Sequence, residues 1–227
     1  QSVIRDRLLG VDPEPVETLW DELYALMLPF GQKGIAVMAQ SAVDLALWDL
    51  RGKAAHQPLA EWLGGEVGLP LPTYATVWGS LEEELADGHR AFKLHVEGED
   101  PERIVKSVRD AREVLGPEAP VMIDAWMSWN LETTLAVAER LVGLDVDWIE
   151  EPLPVHDLDG YAVLAEQSPI PIAGGEHEYT AYGFRPLVER RLHQVLQPDV
   201  CWCGGLTELL KVYAMAAEAG LRVCPHR

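Results

Sequence analysis

From residue 70 onward the chain alternates between short β-rich runs and stretches of helical period, a rhythm that few folds accept. The β-rich runs fall at 73–77, 91–96, 121–123, 146–149, 170–173, 195–196 and 221–224. Between them, 101–115, 131–141, 158–167, 184–192 and 207–219 read as amphipathic helices, and 81–87 as a shorter one. Strands alternating with helices imply a parallel sheet with helices outside it. Seven strands of this kind fit an α/β fold of the (β/α) barrel type better than a six-stranded open sheet. The crossover at 81–87 is shorter than a parallel connection usually requires.

Residues 1–69 read differently, as helices at 15–28, 35–53 and 58–63. The expected organisation is therefore a helical part, 1–69, followed by a barrel part, 70–227. The rhythm stops at His226-Arg227, directly after the seventh strand. The expectation is a longer protein, with an eighth strand and a C-terminal segment beyond this sequence.

Hydrophobic residues make up 48% of the chain and its mean hydropathy is -0.02, as a soluble globular protein requires. No run approaches the roughly 18 apolar residues of a membrane span. The first residues show neither a basic nor an apolar leader, so the cytoplasm is the expected location. The formal charge of -19 argues against nucleic acid and against anionic membranes. It leaves room for a small anionic substrate, because a bound divalent cation reverses the local sign. Cys201, Cys203 and Cys224 lack the spacing of a zinc ribbon or a thioredoxin pair, and are expected as small apolar strand residues in a reducing compartment.

Catalytic side chains of a parallel barrel lie at the C-terminal strand ends. Those ends carry Lys93 and His95, then Asp124, Glu150, Glu176, Asp199 and His226. Asp124 and Glu150 stand 26 residues apart, as do Glu150 and Glu176, one βα unit in each case. Three neighbouring carboxylates would repel one another unless a hard divalent cation, Mg²⁺ or alternatively Mn²⁺, joined them. A single such acid would be explained as a helix N-terminal charge, but three in consecutive units favour a metal site. Asp199 and His226 stand 27 residues apart, again one unit, and an Asp beside a His fixes the imidazole tautomer for acid–base work. Lys93 and His95 alternate along one strand and so face the same side. Apolar Phe92 and Leu94 then suit the outer, helix-covered face. Glu151, His177 and Glu178 are candidates for supporting or substrate contacts, and Asn130, Trp126 and Trp129 for shaping the pocket. His56, His89, His156 and His193 are expected on the surface, and Trp20, Trp48 and Trp62 in the core.

The run Ala46-Leu47-Trp48-Asp49-Leu50-Arg51-Gly52-Lys53 resembles the last helices of the capping domain in the enolase superfamily. Trp148-Ile149-Glu150-Glu151-Pro152, Gln197-Pro198-Asp199 and Gly204-Gly205-Leu206-Thr207-Glu208 resemble its barrel signatures. The Asp–Glu–Glu triad followed by an Asp–His dyad looks like the mandelate racemase-like subgroup. Gly175-Glu176-His177-Glu178-Tyr179-Thr180 and Cys201-Trp202-Cys203-Gly204-Gly205 look closest to L-rhamnonate dehydratases.

The resemblance implies a modified TIM barrel of the (β/α)7β type, with an α+β capping domain of which 1–69 is the helical part. It implies a lyase that dehydrates an L-rhamnonate-like acid sugar to a 2-keto-3-deoxy acid. Asp124, Glu150 and Glu176 would hold Mg²⁺; His226, oriented by Asp199, would take the C2 proton; Lys93 and His95 would add positive charge. A homo-oligomer is the expected assembly. The alternatives are a racemase or epimerase acting beside a carboxylate, and a non-catalytic metal-binding barrel. His95 departs from the Lys-x-Lys of mandelate racemase, and Asp199 stands where muconate lactonizing enzymes carry a Lys.

Overall fold

The computed structural model describes residues 2–96, 98 and 100–226. Gln1 and Arg227, the ends of the sequence read above, lie outside the described residues. Four helices come first: α1 (Ser2–Leu8), α2 (Val16–Met27), α3 (Ile35–Ala55) and α4 (Leu59–Trp62). Seven strands and six helices then alternate: β1 (Ala75–Val77), α5 (Leu81–Ala86), β2 (Phe92–His95), α6 (Pro101–Leu115), β3 (Val121–Asp124), α7 (Leu131–Leu141), β4 (Val146–Glu150), α8 (Leu158–Gln167), β5 (Ile172–Gly174), α9 (Thr180–Glu189), β6 (Val195–Leu196), α10 (Leu206–Ala219) and β7 (Arg222–Val223). The fold is α/β. Among the described residues no helix is long and apolar enough to cross a membrane.

Local chemistry starts the helices where they start. Ser80, Asp100, Asn130 and Asp157 each accept a hydrogen bond from a backbone N–H two or three residues on, capping α5, α6, α7 and α8. The helix α6 turns Ile104, Val105, Val108 and Ala111 inward and leaves its charges outside.

The chain divides into two compact units, one of 71–175 with 186–196, the other of 1–70 with 176–185 and 197–227. In the first unit, β1 to β6 pair in parallel and in chain order. Phe92, Val121, Ile123, Ile149 and Ile172 are fully buried in it. At the opposite end from the strand tips, the Arg112 guanidinium donates to five carbonyl oxygens. It reaches Leu144 (2.8 Å), Gly116 (3.2 Å), Pro117 (3.5 Å), Ala119 (2.5 Å) and Asp145, so two successive loops share one cation.

In the second unit, Val16 and Leu19 of α2 pack on Leu47 and Trp48 of α3. The same two helices grip the Gly204-Gly205 turn ahead of α10. Trp20 Nε1 donates to the Gly204 carbonyl at 2.6 Å, and Gly204 N donates to Ser41 Oγ at 2.9 Å. Asp44 accepts from Thr207 N at 3.0 Å and from Thr207 Oγ1 at 2.6 Å, while Trp48 Nε1 donates to that hydroxyl at 2.9 Å. Both glycines have positive φ, 114° and 88°, and a side chain at Gly205 would strike Asp44. Burial pushes the Asp44 carboxyl up to about 6, the Thr207 hydrogen bonds opposing only part of that rise.

Several expectations need correcting. Cys201 and Cys203 lie in a turn rather than a strand, because 199–204 bends back toward α10. All three cysteines are free. Trp62 is 38% exposed, its ring lying edge-on to Trp48 and beneath Arg51. His193 is buried, in the space that Gly174 leaves by lacking a side chain, with its ring 4.6 Å from that of Tyr161 and tilted 32° to it. Burial lowers its pKa to about 4, so it packs as a neutral ring. The helix α9 begins at Thr180, ahead of the expected 184, and carries Pro186 inside it. Gly183 does not break it there: its missing side chain makes room for Glu178.

Two stability predictions follow from these contacts. Arg112→Lys keeps the charge but loses the planar fork, and should cost about 2 kcal/mol in urea unfolding. The Asp44 pKa is raised in the folded state, so its contribution to stability is complete below about 4 and lost as pH rises through about 6. Asp44→Asn should therefore remove about 2 kcal/mol of the stability change between pH 4 and pH 7, read as the difference from the parent protein.

Candidate active site

Each unit carries one cluster of ionisable side chains at its strand ends. In the first unit the parallel register sets His95 beside Asp124 and Asp124 beside Glu150. The side chains of Lys93 and His95 share a face, as the strand period requires, with Phe92 and Leu94 buried on the other. Lys93 is 2% exposed, and its Nζ lies 2.5 Å from Glu150 Oε1 and 3.2 Å from Asp124 Oδ2. Burial alone would depress this ammonium; Glu150 and Asp124 outweigh it and hold the pKa above the ordinary lysine value. The Tyr74 ring lies 5.7 Å from Nζ.

The remaining acceptors of the two acids meet donors. Trp126 N donates to Asp124 Oδ1 at 3.0 Å, and Trp148 Nε1 to Glu150 Oε2 at 3.4 Å. His95 Nδ1 stands 3.7 Å from Asp124 Oδ2, its ring 4.0 Å from Trp78 and 6.2 Å from Trp126. Just past the strand ends, Trp126, Met127 and Glu151 adopt positive φ of 43°, 59° and 36°. Left-handed backbone at non-glycine residues is costly and gathers where function demands geometry. Glu151 is buried and accepts from Gly175 N at 3.2 Å, which places it under the loop after β5. Asn130 is exposed and caps α7, Trp129 is buried, and Trp126 is 53% exposed.

The second unit holds Glu176, His177, Glu178, Asp199 and His226. An isolated parallel bridge joins Asp199 to His226. Across it, His226 Nδ1 meets Asp199 Oδ2 at 2.9 Å, while Nε2 stands 3.4 Å from Glu176 Oε1. Asp199 Oδ1 also accepts from Cys201 N at 2.6 Å, which restrains the carboxylate. The Trp202 ring lies 6.2 Å from His226 and 5.4 Å from His177. Glu178 is gripped by Lys33, whose Nζ is 2.6 Å from Oε1 and 2.7 Å from Oε2.

The donor set suits a hard divalent cation. Asp124 and Glu150 are buried oxygen donors that share the Lys93 ammonium, the donor chemistry such a cation prefers. Glu176 is a further buried carboxylate, its Oε1 3.4 Å from His226 Nε2.

Three contacting residues escaped the sequence reading. Tyr74 and Lys33 have no periodic or motif signal, and Trp202 stood inside a quoted motif without a role. The two glycines flanking Lys33, Gly31 and Gly34, were the one available sign of a tightly shaped loop there.

Comparison with known proteins gives this geometry a family. Residues 79–227 match the enolase C-terminal domain-like family, and residues 1–64 match the mandelate racemase / muconate lactonizing enzyme N-terminal domain. The chain is 38% identical over 224 residues to L-rhamnonate dehydratase of Saccharopolyspora erythraea, covering 96% of this chain and 57% of that protein. It is 33% identical to D-galactarolactone cycloisomerase of Agrobacterium fabrum, covering 96% of this chain and 61% of the relative. The chain thus spans about three fifths of the length of these curated relatives. Its structure resembles that of a racemase from Streptomyces coelicolor with bound magnesium, at a TM-score of 0.93 and 36% identity, over 99% of this chain and 65% of the other. The chain belongs to the enolase superfamily, as an enolase C-terminal domain-like region preceded by a mandelate racemase / muconate lactonizing enzyme N-terminal domain.

Proposed function

We propose that this chain carries the metal-binding and proton-transfer residues of an acid-sugar dehydratase, a hydro-lyase acting on an L-rhamnonate-like substrate. The observation that carries the reading is the Asp199–His226 pair at 2.9 Å, with His226 Nε2 turned away from Asp199. Relatives named as dehydratases of rhamnonate and arabinonate support the substrate class.

The chemical problem is a C–H proton beside a carboxylate, whose removal places a second negative charge on the same group. Asp124, Glu150 and Glu176 would hold the divalent cation, Mg²⁺ by analogy with relatives solved with it. When bound, that cation supplies positive charge to the substrate carboxylate as the α-proton leaves. Asp199 keeps the Nδ1 proton in place, so His226 meets the C2 proton with its Nε2 lone pair. The electron pair of the C2–H bond becomes the C2–C3 double bond as the C3 hydroxyl departs. The proton on Nε2 leaves with that hydroxyl as water, and the enol becomes the 2-keto-3-deoxy acid. Lys93 stays protonated between Glu150 and Asp124, which suits a fixed positive charge and not a second base. That is the reason to favour dehydration over racemisation, which needs bases on two faces.

The test is a screen of acid sugars with Mg²⁺, reading the 2-keto-3-deoxy product colorimetrically and beginning with L-rhamnonate. Product formation should vanish with EDTA, and His226→Asn should lower kcat by about 10²- to 10⁴-fold. Deuterium appearing at C2 of recovered substrate without any keto product would overturn dehydration in favour of epimerisation. Lys93→Met should lower kcat while its unfolding remains cooperative; an unchanged kcat would remove Lys93 from the mechanism.

A further inference from the structure

The segment 176–185 that carries Glu176 and His177 is fastened mainly by residues far from it in sequence. The Lys33 ammonium spans both oxygens of Glu178, at 2.6 and 2.7 Å. Tyr24 of α2 stacks on Tyr182 with centroids 5.8 Å apart and planes 12° from parallel, and its hydroxyl bonds the Thr180 side chain. Thr180 N donates to the Cys203 carbonyl at 2.8 Å, and Ala181 N to Glu208 Oε2 at 2.5 Å. Of these fastenings the one to Lys33 is made at Glu178, the fastened residue nearest Glu176 along the segment, and it joins two charges.

Glu178 is 8% exposed, and its carboxylate fills the space that Gly183 leaves open. It also accepts from Tyr179 N at 2.7 Å, so the carboxylate and the turn that bears it move together. The Lys33 side chain is 60% exposed and sits between Gly31 (φ 140°) and Gly34 (φ 71°), in a loop that can reach only by left-handed backbone. The two partners are therefore unequal. A half-exposed lysine loses little by going free, but a buried carboxylate left without its cation is driven outward toward water. Outward movement of Glu178 pulls on Glu176, one peptide beyond its neighbour His177.

We infer that Lys33 is a positioning residue: by holding the Glu178 carboxylate inside, it sets the place of Glu176 and His177. This rests on the reading of Glu176 as a metal ligand. The N-terminal helical region then acts on metal affinity through one ion pair.

The experiment measures Mn²⁺ binding by electron paramagnetic resonance in the full chain, with thermal unfolding alongside. Lys33→Met should weaken Mn²⁺ binding about tenfold, the scale of an outer partner lost from a metal ligand. Lys33→Arg should stay within about threefold of the parent. The double variant Lys33→Met with Glu178→Gln should recover most of the affinity, because no buried charge is left to expel. A merely structural pair would lower Tm in Lys33→Met and leave the Mn²⁺ affinity of the folded protein unchanged, and that result overturns the inference. A double variant as weak as Lys33→Met overturns it too. Failure of the parent chain to bind Mn²⁺ would instead strike the metal-ligand reading of Glu176, and the role of Lys33 with it.

Discussion

Asp124 and Glu150 are buried, adjacent and of like charge, and the arrangement around them follows from that repulsion. Two unit charges about 4 Å apart cost roughly 4 kcal/mol at the effective dielectric of a protein near its surface. A fold tolerates such a cost only where something offsets it or where function needs it. Lys93 offsets half, lying under both acids on the neighbouring strand. The backbone N–H of Trp126 and the indole of Trp148 serve further oxygens, and Trp126, Met127 and Glu151 just beyond the strand ends adopt left-handed backbone. Strain, burial and charge are thus concentrated within a few residues of the strand tips, while the opposite loops are tied down by a single satisfied arginine.

The second unit solves a different problem, that of holding a short bridge steady. Asp199 and His226 are paired by a single isolated bridge and could not keep their alignment by sheet hydrogen bonds alone. The turn following Asp199 is instead gripped by side chains from α2 and α3. The family signatures at 46–53 and 204–208 fall on the two sides of this grip: Trp48 donates to Thr207, and Asp44 accepts from it. Motifs that look unrelated along the chain are one contact in space. The buried Asp44 charge is the cost of that grip, and its raised pKa is the visible trace of it.

Much of this was legible in the sequence where a period or a charge spacing carried the signal. The helices at 101–115, 131–141 and 158–167 have the expected bounds, since strong amphipathic periodicity coincides with a capping Asp or Asn at each start. The pairing of Asp199 with His226 came from the βα unit length alone. What escaped was set by tertiary contact. The burial of His193 depends on Gly174 lacking a side chain nineteen residues earlier, and no local rule contains that. The helix α9 starts at Thr180 and not at the expected 184; Gly183 lies inside it, where its missing side chain admits Glu178, a contact that no local period shows. Lys33 was invisible for the same reason: its partner lies 145 residues away.

These misses have a common cause, and it bears on how specificity is built in such a chain. Residues that make chemistry sit at strand ends, where sequence position predicts place. Residues that adjust that chemistry reach in from loops and helices whose sequence is free to vary without disturbing the sheet. Lys33, Tyr24 and Trp202 all belong to this second kind: each touches the segment 176–185 or the His226 ring, and none lies on a strand. Such positions leave proteins of one fold room to differ in the reaction they favour. A dehydratase, a cycloisomerase and a racemase all stand within a few per cent identity of one another in their likeness to this chain. In this chain the strand-end acids are fixed by the sheet, and the contacts that approach the segment 176–185 from outside it are the ones free to change.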